Sequence, residues 1–386
     1  MSTLAQLAAS ERGTGLLREE GVFLDRRFFL EAISPPGRDA LARLSQPSGH
    51  DARPRPIVYM AHQLCVDYGA SVFAKLATLA QLQADDHVHG CALWVDVDRA
   101  GSDKRMTVIS WPRGDGRVGV SMAPPGNKNR EPRFISIEVR ELIKALDQLR
   151  TYLGEAGVGR RGLDRYAHLR EVLSRSSADT LADLSAEITD LLLAEHGIRL
   201  APVRISSLLE ERDLTEQVEA CLNALPRVIE VFNRAVFDLR DRGIDPLLHP
   251  LADDYLPLRI SCPSDATRLP LRRRGGPDGT YAVATCRCGT TYRFRLGRGE
   301  LSLDEIAETH RWSPDVLLPT LLNDLAGGVV AGKSSAIYGI VLNRVLREAL
   351  DKEPVPMLVP EGLTSPEPAD ARLVADSLMV TYLMGH

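Results

Sequence analysis

The chain has 386 residues, of which 44% are apolar and 26% charged, and this is enough to bury a sizeable core as one large domain or as two. The net charge of -5 and a pI near 6 lack the basic surface that nucleic-acid binding requires, so nucleic acid is not an expected partner. The sequence shows no run of eighteen apolar residues and no signal peptide, which predicts a cytoplasmic protein with no membrane partner and with reduced cysteines.

A helical lead-in is predicted for residues 1–52, and the organised core is expected to begin after it. The stretch "PIVYMAHQL" is typical of a buried strand, "YGASVFAKLATLAQLQADD" has helical spacing, and "GCALWVDVD" is a second buried strand. Strand, helix and strand in this order form the βαβ unit of a parallel sheet, so the predicted fold class is α/β.

Four candidate catalytic residues fall where these two strands end: His62, Gln63, Asp96 and Asp98. Open α/β sheets bind ligands at that edge. His62 is suited to phosphate binding or to acid-base work, and its alternative role is to cap a turn. Asp96 and Asp98, two apart on a strand, are expected to share one face and to bind magnesium or an amine; alternatively they cap the following turn.

The middle of the chain is predicted to alternate strands with helices. Short strands are expected in "KRMTVISWP", "GRVGVSM" and "PRFISIEV", then helices over residues 137–196, and a further core strand in "IRLAPVRIS". One long helix is expected over residues 214–243, with a kink at Pro226 and its end at Gly243.

The segment "GGVVAGKSSAIYG" matches the phosphate-loop pattern from Gly327 to Ser334. A phosphate loop needs a strand before its first glycine, but Ser313, Pro314 and Asp315 predict that a helix begins there and runs to Gly327. We therefore do not expect a phosphate-loop ATPase. The remaining order of strand, turn and helix makes Lys333 a candidate anion-binding residue, and the alternative is a glycine turn with a solvated lysine.

Four stretches of the chain resemble the bacillithiol synthase family, whose members are cysteine-adding ligases. The stretch "VYMAHQLCVDYGASVFAKLATL" is similar to the family's first strand, Gly-Gln-Gln turn and helix, and "CALWVDVD" to its Phe-Trp strand. "LRDRGIDPLLHPLADDYLPLRI" resembles the Gly-Tyr-His segment. "RWSPDVLLPTLLNDLAGGVVAGKSSAIY", continued by "VPMLVPEG", is similar to the Arg-Phe-Ser-Pro helix and the Gly-Gly-Pro loop.

This resemblance implies a Rossmann-like core, related to nucleotidylyltransferases, over residues 53–258 and 298–365, with a substrate pocket at the sheet edge. The ligase hypothesis adds ATP or ADP at that edge, and Asp96 with Asp98 adds magnesium as a candidate cofactor. The order of strand, turn and helix at residues 328–335 makes Gly332, Lys333, Ser334 and Ser335 the candidate cofactor-binding residues. The chain departs from the family at four of these positions. His62 replaces the first glycine of the turn, Lys333 replaces the loop proline, and Ser335 replaces the following glutamate. The family's Asp-His-Asp after the tryptophan strand is reduced to Asp96, Asp98 and Asp103. A short amphipathic tail, residues 366–386, stands where the family has a coiled coil for dimerisation, so the family's dimer is not expected.

A ribbon-like β-hairpin is predicted for residues 259–297, as a small appendage to the core. Its two arms carry Cys262 on one side and Cys286 with Cys288 on the other, as in a zinc ribbon. The fourth ligand would be Asp265 or His249. The alternative is a ribbon that folds without metal. A neighbouring basic cluster, "RLPLRRRGG", is interpreted as a solvated hairpin that could meet an anion.

Two classes of function compete. The first is a bacillithiol-synthase-like ligase, in which the amine of an amino acid, such as cysteine, joins a small-molecule carboxylate or acyl acceptor. In it His62 and Gln63 contact the phosphate or acyl group, Asp96 and Asp98 hold the amine or magnesium, and Lys333 stabilises negative charge. The alternatives are a nucleotidylyltransferase-like enzyme and a non-catalytic binding protein that keeps the fold.

Overall fold

The structure, a computed structural model, describes residues 4–34, 40–45, 55–85, 88–113, 116–297, 301–363 and 377–385. Its helices are α1 Leu4–Ala8, α2 Glu11–Glu19, α3 Arg26–Ala32, α4 Ala40–Ser45, α5 Ala70–Ala84, α6 Val139–Glu155, α7 Arg160–Arg175, α8 Leu181–Glu195, α9 Ile205–Glu210, α10 Thr215–Asn223, α11 Leu225–Asp241, α12 Asp304–Ala307, α13 Leu318–Leu321, α14 Lys333–Ala349 and α15 Leu378–Met384. Within the described ranges, no helix has the length and apolar character needed to cross a membrane.

The strands form one parallel sheet, one antiparallel sheet and one hairpin. They are β1 Val22–Phe23, β2 Ile57–Gln63, β3 His89–Val95, β4 Val108–Arg113, β5 Gly116–Ser121, β6 Ala201–Arg204, β7 Tyr255–Ser261, β8 Arg268–Gly276, β9 Gly279–Thr285, β10 Thr291–Arg295, β11 Trp312–Pro314, β12 Gly328–Val330 and β13 Met357–Leu358. Six of them build an all-parallel sheet in the order β1-β13-β12-β2-β3-β6. The predicted α/β class is confirmed, and an all-parallel sheet with helices is what a Rossmann-like core requires.

The predicted βαβ unit is present as β2, α5 and β3. Ile57, Val58 and Met60 are fully or almost fully buried, because β2 lies inside the sheet with helices on its faces. β2 and β3 pair in parallel from Ile57 opposite His89 to Gln63 opposite Val95. The apolar runs therefore predict these two strands correctly.

The sheet has a switch point between β2 and β12. The chain leaves β2 through α5 to reach β3 on one side, and it leaves β12 through α14 to reach β13 on the other side. Crossover connections that leave two neighbouring strands in opposite directions open a crevice at the carboxyl ends of those strands. Ligand-binding residues are expected in that crevice.

The predicted ribbon is part of a larger antiparallel sheet, in the order β10-β9-β8-β7-β11. The sheet begins at Tyr255 and gains β11 from a distant part of the chain, through pairing of Trp312 with Ile260. Ile260 and Leu271 share one buried cluster with Tyr59 and Leu93 of the parallel sheet. The hairpin is thus packed against the core, and a zinc-ribbon appendage is not confirmed.

Both ends of the chain also join the core. β1, within the predicted lead-in, pairs in parallel with β13 and forms the edge of the main sheet. At the other end, α15 buries Leu378, Met379, Tyr382 and Leu383, and it packs against α7 and α8. Residues 1–52 and 366–386 therefore do not stand apart from the core where the structure describes them.

Three predicted elements are wrong. Trp312–Pro314 is strand β11, and Ser313 does not begin a helix, because its Oγ donates to buried Glu131 Oε1 at 2.7 Å. The segment "PRFISIEV" forms a short 3-10 turn, Pro132–Phe134, and then leads into α6. The predicted long helix is divided at Ala224 into α10 and α11. Pro226 lies in the first turn of α11, where a backbone N–H would have no partner within the helix, so its absence costs nothing. The predicted end of the helix at Gly243, which has φ 75°, is confirmed.

Candidate functional site

A cavity of about 670 Å³ lies at the switch point, between the carboxyl ends of β2, β3 and β12 and the antiparallel sheet. This volume is in the range of small-molecule sites. Its polar and ionisable lining includes His62, Gln63, Lys75, Asp98, Arg99, Ser102, Asn129, Arg259, Arg268, Asp315, Thr320, Asn323, Ser335, Tyr338 and Asn343. The cavity therefore lies at the edge of the sheet where the sequence predicts a pocket.

His62, at the end of β2, is a neutral side chain. Burial, followed by the nearby charge of Lys75, lowers the pKa of His62 to about 4. Its Nδ1 lies 2.9 Å from the carbonyl oxygen of Gln63. A carbonyl can only accept, so Nδ1 carries the proton and Nε2 keeps a lone pair. The ring can therefore take a proton but cannot neutralise an anion at pH 7.

Gln63 and Asp98 belong to one polar chain along the cavity wall. Gln63 Nε2 donates to Asp98 Oδ2 at 3.4 Å, and the backbone N–H of Arg99 donates to Asp98 Oδ1 at 2.8 Å. Arg268 Nη1, from the antiparallel sheet, donates to the same oxygen at 3.1 Å. Asp98 is therefore held in place by both sheets.

Asp96 is not in the cavity. It is fully buried and accepts from Ser206 N at 3.0 Å and from the Ser206 hydroxyl, so it caps the first turn of α9. Burial raises the pKa of Asp96, although these hydrogen bonds oppose the shift. The expectation that Asp96 and Asp98 share a face is wrong, because β3 ends at Val95 and the chain turns between them. A magnesium site built from both carboxylates is not formed.

Arg268 is the centre of a buried network behind Asp98. Its Nε lies 3.2 Å from Glu131 Oε1 and 3.1 Å from Ser313 Oγ, and its Nη2 donates to the carbonyl of Pro314 at 2.7 Å. Glu131 is fully buried and also pairs with Arg133 at 2.7 Å. Burial raises the pKa of Glu131, and the two arginines oppose that shift. Arg268 is the first residue of the basic cluster that the sequence indicated to be solvated, and its side chain is only 9% exposed.

Arg259 and Asp315 form the opposite wall and were missed at the sequence level. Arg259 Nη2 lies 3.7 Å from Asp315 Oδ2, and its Nε is buried with no hydrogen-bond partner in the described part of the chain. The Tyr255 hydroxyl donates to Asp315 Oδ1 at 2.5 Å. Burial raises the pKa of Asp315 and lowers that of Arg259. Arg259 thus keeps capacity to bind an incoming carboxylate or phosphate.

Lys75 was also missed, although its position carries a signal. In α5 it stands on the stripe of Val72, Leu76 and Leu79, at the helical spacing of buried residues. It is 4% exposed, lines the cavity and donates through Nζ to the carbonyl of Ala61 at 3.1 Å. Burial lowers the pKa of Lys75 to about 8. A charged residue on an apolar helical face is the pattern that would have identified it.

The residues of the phosphate-loop pattern are divided by the fold. β12 lies between the two glycines of the pattern and not before the first, so the phosphate-loop arrangement is not formed, as predicted. Ser335 lines the cavity; Gly332, Lys333 and Ser334 are outside its lining, with Ser334 exposed. The lysine that lines the cavity beside this turn is Lys75, whose Cδ lies 3.8 Å from where a Cβ on Gly332 would stand.

The four predicted metal ligands lie near one another, away from the cavity lining. The Sγ atoms of Cys262, Cys286 and Cys288 all lie within 4.8 Å of one another, and Cys286 Sγ is 3.4 Å from Asp265 Oδ2. The alternative ligand His249 is not part of this group. The three thiols offer the softest donor set within the described residues.

No model of a known protein family matches the chain. No curated protein matches it either. The residues of the cavity define its chemistry. Cationic Lys75 and Arg259 can bind a carboxylate or phosphate, Asp98 and Asp315 can bind an amine, and neutral His62 can accept a proton.

Proposed function

We propose that the protein is a bacillithiol-synthase-like ligase, which joins the amine of an amino acid to a small-molecule carboxylate or acyl acceptor in the switch-point cavity. The observation that carries the proposal is the arrangement of opposite charges in one cavity of about 670 Å³: Lys75 and Arg259 with Asp98 and Asp315. A ligand with both an amine and a carboxylate satisfies both kinds of group. Polar pockets at the switch point of a parallel sheet are typical binding sites for small-molecule ligands.

In the proposed reaction Arg259 binds the carboxylate, because within the described residues its buried Nε has no partner and its ion pair with Asp315 is long, at 3.7 Å. Asp98 accepts a hydrogen bond from the amino group. The acceptor carboxylate is first activated by transfer of a phosphoryl or adenylyl group from ATP. As the neutral amine attacks, the C–N bond forms and the C–O bond to phosphate or AMP breaks; His62 accepts the proton that the nitrogen releases, through Nε2, since its Nδ1 donates to the Gln63 carbonyl. Gln63 supports Asp98, and Arg268 holds it from the other sheet.

The nucleotide part of the proposal rests on the Rossmann-like sheet and on the resemblance of the motifs. ATP or ADP would place its phosphates between Ser335, in the first turn of α14, and Lys75. In the part of the chain that the structure describes, no side chain caps the N-terminus of this 17-residue helix, which leaves backbone N–H groups for an anion. The same edge of the sheet would serve nucleotidyl transfer. A nucleotidylyltransferase-like enzyme would therefore bind its nucleotide at the same residues and would differ from the ligase in its product.

A binding experiment with matched variants tests the site. Amino acids including cysteine, dicarboxylates, ATP and ADP are titrated calorimetrically into the protein, into Arg259→Met and into the control Arg272→Met. Arg272 lies in the same sheet, and its side chain is 42% exposed. We expect Arg259→Met to weaken carboxylate binding about tenfold or more and Arg272→Met to leave it unchanged. Equal binding in both variants would refute the site, and binding without turnover would indicate a non-catalytic protein.

A further inference from the structure

Three thiols meet at one end of the antiparallel sheet. Cys262 directly follows β7, Cys286 directly follows β9, and Cys288 lies in the turn before β10. Cys262 and Cys286 are buried and Cys288 is exposed, so the group is open to solvent on one side. Two loops that are distant in sequence thus bring soft ligands together.

The spacing of the sulfurs agrees with a metal and not with a disulfide. Zn²⁺ binds thiolates at about 2.3 Å in a tetrahedral arrangement, which separates two sulfur ligands by about 3.8 Å. The Sγ atoms of Cys262 and Cys288 are 3.7 Å apart. A disulfide would bring the two sulfurs to about 2.05 Å.

The turn that carries two of the thiols is a tight knuckle. Cys286 N donates to the carbonyl of Thr290 at 2.9 Å, and Gly289 N donates to the carbonyl of Cys286 at 3.0 Å. Gly289 has φ 91°, a conformation that side-chain-bearing residues rarely adopt. This closed turn presents Cys286 and Cys288 toward Cys262.

Two oxygen donors flank the thiols. Asp265 Oδ2 lies 3.4 Å from Cys286 Sγ, close to the separation of about 3.5 Å expected between oxygen and sulfur ligands of one zinc ion. The Tyr292 hydroxyl lies 3.0 Å from Cys262 Sγ. The carboxylate is the better ligand because it is already an anion. It is not among the donor atoms that all lie within 4.8 Å of one another, so it must shift toward the three thiols to complete the site.

We propose that Cys262, Cys286 and Cys288 bind one Zn²⁺ ion as thiolates, with the Asp265 carboxylate as fourth ligand. The ion joins the loop after β7 to the knuckle after β9. The loop after β7 leads directly into Arg268, and Cys262 N donates to the carbonyl of Thr267 at 2.9 Å. The ion therefore fixes the end of the sheet from which Arg268 reaches the cavity, a consequence for ligand binding that rests on the proposed function.

Metal analysis of the full chain tests the site without reference to catalysis. The protein is purified without a metal-affinity column or chelator, and its zinc is measured by mass spectrometry. Cys288→Ser is the main variant, because Cys288 is exposed and its loss leaves the core intact; Cys221→Ala, a buried thiol of α10, is the control. We expect one zinc ion per chain in the wild type and in Cys221→Ala, and almost none in Cys288→Ser.

Cobalt supplies a second readout. Co²⁺ added to the metal-free protein should give the intense near-ultraviolet absorption of thiolate ligands, weaker in Asp265→Asn and absent in Cys288→Ser. Zinc-free wild type that also gives no cobalt absorption, or Cys288→Ser with full zinc content, would overturn the site. Unchanged cobalt affinity in Asp265→Asn would overturn the fourth ligand alone. If metal-free protein still binds ligands in the cavity with the same affinity, the proposed coupling between the zinc site and Arg268 is refuted. If zinc-loaded protein binds no ligand in the cavity, only the proposed function is refuted.

Discussion

Arg268 and Asp98 join the two sheets across the cavity, with Nη1 3.1 Å from Oδ1. Arg268 begins β8, whereas Asp98 follows β3, and the two residues are 170 positions apart in the sequence. The pair therefore fixes the antiparallel sheet above the carboxyl edge of the parallel one.

Replacing Arg268 by Met should lower the free energy of unfolding by about 3 kcal/mol or more, because buried Glu131 and partly buried Asp98 then lose a charged partner. The control Arg272→Met removes a half-exposed ion pair with Asp254 and should change stability by less than about 1 kcal/mol. Denaturant unfolding measures both. Equal losses in the two variants would show that the Arg268 network is not structural.

Asp96 and Asp98 should separate stability from binding. Asp96→Ala leaves the N–H and the hydroxyl of Ser206 without their acceptor in a buried place, so it should lower stability by about 1–3 kcal/mol and leave cavity ligand affinity unchanged. Asp98→Ala should weaken amine binding. Thermal unfolding and calorimetric titration of both variants measure this, and reduced ligand affinity in a folded Asp96→Ala protein would contradict the assignment.

Lys75 should make anion binding depend on pH. Burial lowers the pKa of Lys75 to about 8, so the side chain is mainly charged at pH 7 and loses its charge as the pH rises through that value. Affinity for succinate, which does not titrate in this range, should fall above pH 8 by up to about tenfold per pH unit. Lys75→Met should bind more weakly and show no such fall. A control at exposed Lys144 on α6, Lys144→Met, should behave as wild type; a pH-independent wild type would exclude Lys75 from the anion site.

The two glycines of the phosphate-loop pattern should respond differently to alanine. A Cβ on Gly327 would lie 1.7 Å from the carbonyl oxygen of Ser34, so Gly327→Ala should strongly destabilise the fold. Among the described residues, a Cβ on Gly332 would meet no atom closer than 3.8 Å, and the φ of -85° at this position suits any residue, so Gly332→Ala should fold normally. Thermal unfolding decides this; a stable Gly327→Ala protein would show that the close approach of the two backbones is not real.

Local patterns in the sequence predict the centre of the fold. β2, α5 and β3 follow from apolar runs and helical spacing, because both faces of a parallel sheet are buried and the residues involved are contiguous. His62, Gln63 and Asp98 follow from the rule that ligands bind at the carboxyl edge.

Residues that depend on distant partners could not be predicted in this way. Serine is a preferred residue type at helix N-caps, so Ser313 predicts a helix start. The pairing of β11 with β7 and the hydrogen bond from Ser313 to Glu131 outweigh that preference. Arg259 and Asp315 enter the cavity only because the antiparallel sheet is placed above the parallel one, and no local pattern encodes this placement. Tertiary packing therefore supplies half of the candidate site.

The most direct test of the account is amide formation. The purified protein is incubated with ATP, Mg²⁺ and pairs drawn from amino acids and small carboxylic acids, and products are identified by mass spectrometry together with ATP consumption. We expect an amide product for at least one pair, with turnover lost in His62→Gln while the melting temperature stays close to wild type. The absence of any product and of nucleotide consumption across the panel, or equal turnover in folded His62→Gln, would contradict the proposed ligase.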